Sequence, residues 1–116
     1  MARKSDSYYK NQALIEINTI ISYTKNLSFD EFMSNVMIVD ATMFRLQQMI
    51  EHIKEISGDF KSKHPEIPWV DIVDLGNLII HEFEKIDHSK VYEAINENIY
   101  QLKELFEKSI EPTSNK

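Results

Sequence analysis

Apolar residues recur at helical spacing along most of the chain. From about Ser7 to Lys25 they form one stripe that predicts a first helix; its members are Tyr9, Ala13, Leu14, Ile17, Ile20 and Ile21. The run Ser28-Phe29-Asp30-Glu31 has the form of a capping box, so we expect a second helix to start there. That helix continues to about Ile56 with a break near Ser34-Asn35, and Gly58 stands where a glycine commonly ends a helix.

The second half of the chain predicts two more helices. Pro65 and Pro68 mark the stretch from His64 to Pro68 as a connector, because the two prolines cannot both lie inside a helix. A third helix is expected from about Trp69 to Glu84, and a fourth begins at a cap, either Asp87 or Ser89. The apolar positions of the fourth helix are Val91, Ile95, Ile99, Leu102, Leu105, Phe106 and Ile110. The pattern predicts an all-α fold, an up-and-down bundle of four to five helices. We expect a single domain over residues 1–116, with flexible tails at about 1–6 and 112–116.

Composition and charge narrow the classes of function. Only 2 Gly and 3 Pro occur in 116 residues, which means few turns and favours long helices. The absence of Cys excludes disulfides, cysteine-ligated zinc and thiol catalysis. A net charge of −6 argues against a protein that holds nucleic acid by bulk electrostatics, so DNA is not an expected partner. No apolar run reaches membrane length and no signal-peptide core follows the N-terminus, so we expect no membrane partner and a cytoplasmic location.

The stretch from Ile67 to Phe83, IPWVDIVDLGNLIIHEF, holds the candidate site. Asn77 and His81 are four residues apart, so they lie on the same side of a helix. Beside them runs an apolar face formed by Leu75, Leu78, Ile79 and Phe83. A ridge of Asn and His beside an apolar stripe indicates a functional site. The alternative, which stays open, is a histidine that only caps its own helix and favours the helix dipole.

This stretch resembles the signature of the HepT-like family, a branch of the HEPN superfamily of small helical RNase domains. In that family an Ile-Pro-Trp entry leads into a helix that ends in Arg-Asn, three or four residues, His, one residue and Tyr. The positions that match here are Trp69, Asn77, His81 and Glu82. Two positions differ: Gly76 stands in place of the Arg, and Phe83 stands in place of the Tyr.

The resemblance implies a homodimeric helical bundle with a ribonuclease site assembled from both protomers. It implies that His81 is the acid or base of a metal-independent cleavage, and that Asn77 orients either His81 or the phosphate. A positioned acid or base contributes on the order of 10²–10⁴ in rate. It further implies a toxin–antitoxin pair, in which a minimal nucleotidyltransferase antitoxin silences the toxin by placing AMP on the motif Tyr. No cofactor and no metal are implied.

The two altered positions bear directly on activity. Gly76 offers no charge to a phosphate, and the loss of one preorganised donor costs on the order of 10²–10³ in rate. Phe83 has no hydroxyl, so AMP cannot be placed on it. We therefore expect weak or lost RNase activity, with RNA as a partner only where activity remains, and we expect Gly76→Arg to raise activity if the rest of the site is intact.

A glycine at position 76 has two explanations, a close approach of helices across an interface or simple decay of the site. The sequence also leaves open whether Arg45 replaces the lost motif arginine. The second function hypothesis is a non-catalytic, dimeric helical interaction module, in which Asn77 and His81 form hydrogen bonds at an interface. The acidic net charge favours that second hypothesis.

Metal and cofactor sites find no support in the sequence. His81-Glu82 begins like the zinc motif HExxH, but Lys85 stands where the second His is required. With only Gly58 and Gly76 in the chain, neither a P-loop nor a dinucleotide-binding glycine motif can form.

Overall fold

The structure is a computed structural model that describes residues 4–81 and 88–109, except for the side chains of residues 78–81. Over these ranges every regular element is a helix and no strand occurs. The predicted all-α class is therefore confirmed. Within the same ranges, none of the helices combines the length and the apolar character that a membrane span requires.

The first helix, α1, spans Asp6–Thr24 and supplies one wall of the core. The side chain of Ser5 caps it by accepting a hydrogen bond from the amide of Tyr8 at 3.1 Å, so the helix begins one residue before the predicted Ser7. Its buried apolar residues are Ala13, Leu14, Ile17 and Ile20. Asn26 closes the turn that follows with a φ of 69°, a left-handed conformation in which asparagine is enriched.

The predicted capping box and the predicted break in the second helix are both confirmed. The short helix α2 spans Phe29–Met33. The hydroxyl of Ser28 accepts from the Glu31 amide, and the Glu31 carboxylate accepts from the Ser28 amide. The chain then leaves the helix, and the Asn35 side chain caps a new one by accepting from the Ile38 amide at 3.1 Å. This helix, α3, spans Val36–Lys54.

The prediction that Gly58 ends the long helix is wrong. α3 already ends at Lys54, and Gly58 is the first residue of a further short helix, α4, which spans Gly58–Lys63. The hydroxyl of Ser57 caps α4 by accepting from the Phe60 amide at 3.1 Å. Gly58 does not have the positive φ that a helix-ending glycine needs. Glycine fits both ends of a helix, and the serine before it decided which end this is.

The third and fourth predicted helices follow. α5 spans Trp69–His81; it starts at the predicted residue, and the predicted end at Glu84 lies outside the described residues. The last helix runs without interruption from α6 (His88–Ala94) through one π-helical segment (Ile95–Ile99) to α7 (Tyr100–Lys108). Of the two predicted caps, Asp87 lies outside the described residues. Ser89 lies inside α6, so that alternative is wrong.

The long helices form an up-and-down arrangement around a central pair, α1 and α3. α5 packs on α3, and the last helix packs on α1. The side chain of Asp6, at the start of α1, accepts from the amide and hydroxyl of Ser57 at 2.9 and 2.7 Å, which ties this end of α1 to the end of α3. At the other end, the Tyr92 hydroxyl donates to the Leu27 carbonyl at 2.7 Å. Since α5 and the last helix lean on different central helices, a groove remains between them.

Candidate functional site

The residues at the start of α5 fix the position of this helix. Ile67 is buried in the core. Trp69 donates from Nε1 to the His64 carbonyl at 2.9 Å, and its ring packs edge-on against Phe106 with the centroids 5.9 Å apart. The carbonyl of Pro68 accepts from the Ile72 amide at 3.1 Å. The Ile-Pro-Trp entry thus anchors the N-terminus of α5 beside the end of the last helix.

Gly76 lies where α5 packs on α3. It is buried, and a Cβ atom at this position would lie 2.5 Å from Cγ2 of Ile50. Ile50 is itself only 1% exposed, and its Cγ2 is attached directly to Cβ, so the methyl group can move only by a rotation about χ1, which is unfavourable for a β-branched residue in a helix, or by a shift of α3. The close helix approach predicted at Gly76 is therefore present, but it lies inside the subunit and not across an interface.

This contact corrects one prediction about activity. An arginine at position 76 does not fit at the present spacing of α5 and α3, because even its first side-chain atom would overlap Ile50. Gly76→Arg alone is therefore not expected to raise activity. The change has to be combined with a smaller residue at position 50.

Asn77 lies on the side of α5 that faces away from the bundle. We call this side, with positions 70, 74, 77 and 81, the outer face of α5; these positions fall within roughly 60° of one another on a helix. Val70 is 72% exposed, and Asp74 and Asn77 are exposed. Asn77 is therefore free to meet a ligand or a second chain.

The remaining motif positions, His81, Glu82 and Phe83, lie at the limit of the described structure or outside it. The backbone of His81 is the last residue of α5, one helical turn beyond Asn77, while its side chain lies outside the described part. Phe83 lies outside the described residues altogether. Since α5 is unbroken from Trp69 to His81, the predicted spacing of Asn77 and His81 along one helix is present.

Arg45 is bound to α1 and does not lie beside the outer face of α5. Its Nη1 is 3.2 Å from Oε1 of Glu16, whose side chain is largely buried. A hydrogen bond with the Tyr23 side chain, followed by the bond and the charge of Glu16, raises the pKa of Arg45 above its ordinary value. Around α3, Arg45 and the Ile50 that contacts α5 are roughly 140° apart. The structure therefore does not bring Arg45 to Asn77.

Between Trp69 and His81, α5 supplies no Lys or Arg to its outer face. In this range the helix has two acidic residues, Asp71 and Asp74. Among the described residues no cluster of three His, Asp or Glu side chains is arranged to hold a metal ion. The described polar side chains on this face are the Asn77 amide and the Asp74 carboxylate.

The buried charge of Lys10, which lies near the start of α1, was not identified from the sequence. Lys10 is 2% exposed; its Nζ donates to the Ser109 carbonyl at 2.9 Å and lies 4.6 Å from the centre of the Phe60 ring. One signal was present, because Lys10 precedes Ala13 and Ile17 by three and seven residues, on the buried stripe of α1.

Comparison with known proteins places the chain in a family. The family model described as Ribonuclease HepT-like matches residues 13–109, a range that includes all of α5. No solved structure matches the chain.

Several relatives are similar over most of their length. In Methanocaldococcus jannaschii, "Putative RNase MJ1216" is 31% identical over 100 residues, covering 86% of this chain and 83% of the relative. "Putative RNase MJ1380" of the same organism is 29% identical over 103 residues, covering 89% and 94%. "Probable ribonuclease HepT" of Thermococcus cleftensis is 29% identical over 106 residues, covering 91% and 96%. The family match and these relatives agree with the helical fold, and the chain belongs to the HepT-like ribonuclease family.

Proposed function

We propose that the outer face of α5 is a HEPN-type ribonuclease site whose activity is weak or lost. The observation that carries this proposal is the contact between Gly76 and Ile50, which leaves no room for an arginine at the motif position. Family membership supports the class of reaction, and the contact supports its loss.

The charge of α5 supports the same conclusion. Cleavage of RNA without a metal builds up negative charge on the phosphate, and a preorganised cation lowers the barrier to that step. Here Asp74 lies on the same face as Asn77, and no Lys or Arg lies between Trp69 and His81. The helix therefore repels a phosphate where the family motif would attract one.

Residual cleavage would depend on His81 and Asn77. The imidazole of His81 is the group on this helix that exchanges a proton near neutral pH. The exposed amide of Asn77 stands one turn away and is placed to hold either the imidazole or a phosphate oxygen. Without the cation, the site keeps the acid–base contribution to the cleavage rate and loses the electrostatic stabilisation of the transition state.

The proposal includes a homodimer in which the outer faces of two α5 helices meet. Val70, a residue that is 72% exposed, supports this arrangement, since it places an apolar side chain on the same face as Asn77. In a two-fold dimer the same patch serves both partners, so two copies of the site come together at one seam. The proposal also includes a minimal nucleotidyltransferase as the antitoxin of a toxin–antitoxin pair. With Phe83 in place of Tyr, such a partner acts by binding and not by AMP transfer to position 83.

A second candidate function is the non-catalytic interaction module. The two observations that favour it are the absence of Lys and Arg from α5 and the exposed Val70 beside Asn77. In this alternative the outer face of α5 binds protein only.

The experiment that tests the proposal is cleavage of total RNA and tRNA by the purified full chain in the presence of EDTA. Wild type is compared with His81→Ala, Asn77→Ala and the matched control His52→Ala, which removes a partly exposed histidine of α3. The expected result is trace cleavage that disappears in His81→Ala, falls in Asn77→Ala and is kept in His52→Ala.

Three other results would change the conclusion. Vigorous, His81-dependent cleavage by wild type would contradict the lost activity. Cleavage that survives His81→Ala would contradict the site. If no variant cleaves, the interaction module becomes the better description, and purification of the tagged chain with a co-expressed nucleotidyltransferase tests its partner.

A further inference from the structure

A groove with a volume of about 480 Å³ lies between α5 and the last helix. Its floor is apolar and is formed by three helices. The residues are Leu46 and Met49 on α3, Leu75 on α5 and Ile99 on the last helix. Leu75 and Asn77 are separated by roughly 200° around α5. The groove is therefore a different surface from the outer face of α5.

The π-helical segment Ile95–Ile99 forms part of the groove wall. A π-helical segment adds one residue to a helical turn and occurs most often at functional sites. Here Asn98 lines the groove while Ile95 and Ile99 stay buried in the core. The extra residue thus adds a polar side chain to the wall without the loss of a core residue.

The rim of the groove is acidic. Glu66 and Asp71 line one edge, and Asn98 and Gln101 line the other. Among the described lining residues there is no Lys, Arg or His. Hydrogen bonding by its own backbone amide, together with the His64 ring 3.2 Å away, holds the pKa of the Glu66 carboxyl below its ordinary value. The edge formed by Glu66 and Asp71 is thus negatively charged at neutral pH and repels nucleic acid.

The dimensions of the groove suit a helix. α5 lines it from Pro68 to Leu75 and the last helix from Ala94 to Leu105, which correspond to roughly 10 Å and 17 Å at the α-helical rise. These lengths accommodate about two to three turns of a docked helix. An apolar floor between two walls with a charged edge is the arrangement that binds amphipathic helices through residues at i, i+3, i+4 and i+7.

We propose that this groove docks an amphipathic helix of a partner protein, with an apolar row inserted between α5 and the last helix and Lys or Arg beside the edge formed by Glu66 and Asp71. The proposal does not depend on ribonuclease activity, because Asn77 lies on the outer face and not in the groove.

The test uses the full chain and a fluorescein-labelled 14-residue helical peptide of Leu and Lys, with Leu at i, i+3, i+4 and i+7. A second peptide has Glu in place of every Lys. Binding is measured by fluorescence anisotropy. The rim variant Glu66→Gln/Asp71→Asn is compared with Asp40→Asn/Glu107→Gln, which neutralises two exposed carboxylates outside the groove lining.

The Leu/Lys peptide is expected to bind at least tenfold more tightly than the Leu/Glu peptide. The rim variant is expected to weaken binding roughly threefold to tenfold, the sum of two modest surface charge interactions. The control variant is expected to bind like wild type. Equal affinity for the two peptides, or equal weakening by the two variants, would overturn the proposal.

The position of the bound peptide is read with a reporter. Because the chain has no Cys, Asn98→Cys and Asn18→Cys each accept one environment-sensitive dye; Asn18 is exposed on α1 and serves as the control. The expected response is at position 98 only, and a response at position 18 would overturn the proposal.

Tighter peptide binding after deletion of residues 110–116 would mean that the chain's own tail occupies the groove. Self-association of the chain that is abolished in the rim variant would mean that a second copy of the chain occupies the groove. Either outcome would also overturn the proposal.

Discussion

The backbone of Gly76 packs directly against the branched side chain of Ile50, so that a Cβ atom at position 76 would lie 2.5 Å from Cγ2 of Ile50. The two residues are 26 positions apart in the chain and join the motif helix α5 to the central helix α3. The same contact sets the spacing of these helices and excludes the arginine of the family motif. The contact between Gly76 and Ile50 therefore links the stability of the fold to the absence of the motif arginine.

The first prediction concerns Gly76→Ala. In an ordinary helix this change stabilises by about 1 kcal/mol, but here the added methyl group overlaps a buried branch, and overpacking costs about 1–3 kcal/mol. We expect a net loss of up to about 2 kcal/mol in the free energy of unfolding, measured in urea.

Two controls make this prediction specific. Gly58→Ala adds the same methyl group at a position with nothing within 4 Å, so it should stabilise by about 0.4–1 kcal/mol. Ile50→Leu removes the β-branch, so Gly76→Ala should cost less in its presence. A Gly76→Ala variant as stable as Gly58→Ala would contradict the close contact.

The second prediction concerns the cap at Ser57. Its hydroxyl accepts from the Phe60 amide and donates to Asp6, so Ser57→Ala removes a helix cap and a charge-assisted hydrogen bond together. We expect a loss of about 1–3 kcal/mol in the free energy of unfolding. Ser62→Ala, at an exposed position of the same short helix, should change stability by less than about 0.5 kcal/mol. Similar losses in the two variants would argue against a special role of Ser57.

The third prediction concerns pH. The backbone amide of Glu66, and then the His64 ring, lower the pKa of the Glu66 carboxyl in the folded state. A lowered folded pKa stabilises the protein above the ordinary glutamate value of 4.5, and that stabilisation is lost as the pH falls through the folded pKa. Glu66→Gln should therefore be less stable than wild type at pH 7, and the two should converge as the pH falls through the folded pKa of Glu66. A difference that grows toward acid pH would contradict the direction of the shift.

The fourth prediction concerns the dimer seam. Val70 on the outer face of α5 and Val36 at the start of α3 are exposed to similar extents, 72% and 68%. If two α5 helices meet at their outer faces, Val70→Lys introduces two like charges at the seam and should shift the sedimentation coefficient toward that of a monomer. Val36→Lys should leave the oligomeric state unchanged. Dissociation by Val36→Lys, with Val70→Lys still dimeric, would place the seam elsewhere.

Local signals carried most of the sequence-based fold prediction. The capping box at Ser28 and the break at Asn35 each depend on side chains that bond to amides three residues away, so both could be read from a short window. The prediction for Gly58 is wrong because glycine fits both the end and the start of a helix, and the capping Ser57 before it decides between the two.

The features that could not be predicted depend on distant residues. The Glu16–Arg45 ion pair joins residues 29 apart, and the contact between Gly76 and Ile50 joins residues 26 apart. Neither is visible until α1, α3 and α5 are packed together. The outward position of Asn77 depends on helical periodicity and on which side of α5 meets α3. The sequence gives the helical periodicity, but only the structure gives the side of α5 that meets α3.

The most direct measurement is metal-free RNA cleavage by the double variant Gly76→Arg/Ile50→Ala, beside the same variant with His81→Ala. Circular dichroism and urea unfolding confirm that each protein is folded. Since Ile50→Ala removes the branch that the Cβ atom of an arginine would overlap, we expect the double variant to cleave RNA at least tenfold faster than wild type. We also expect that gain to vanish with His81→Ala. A folded double variant that cleaves no faster than wild type would contradict a ribonuclease site silenced at Gly76.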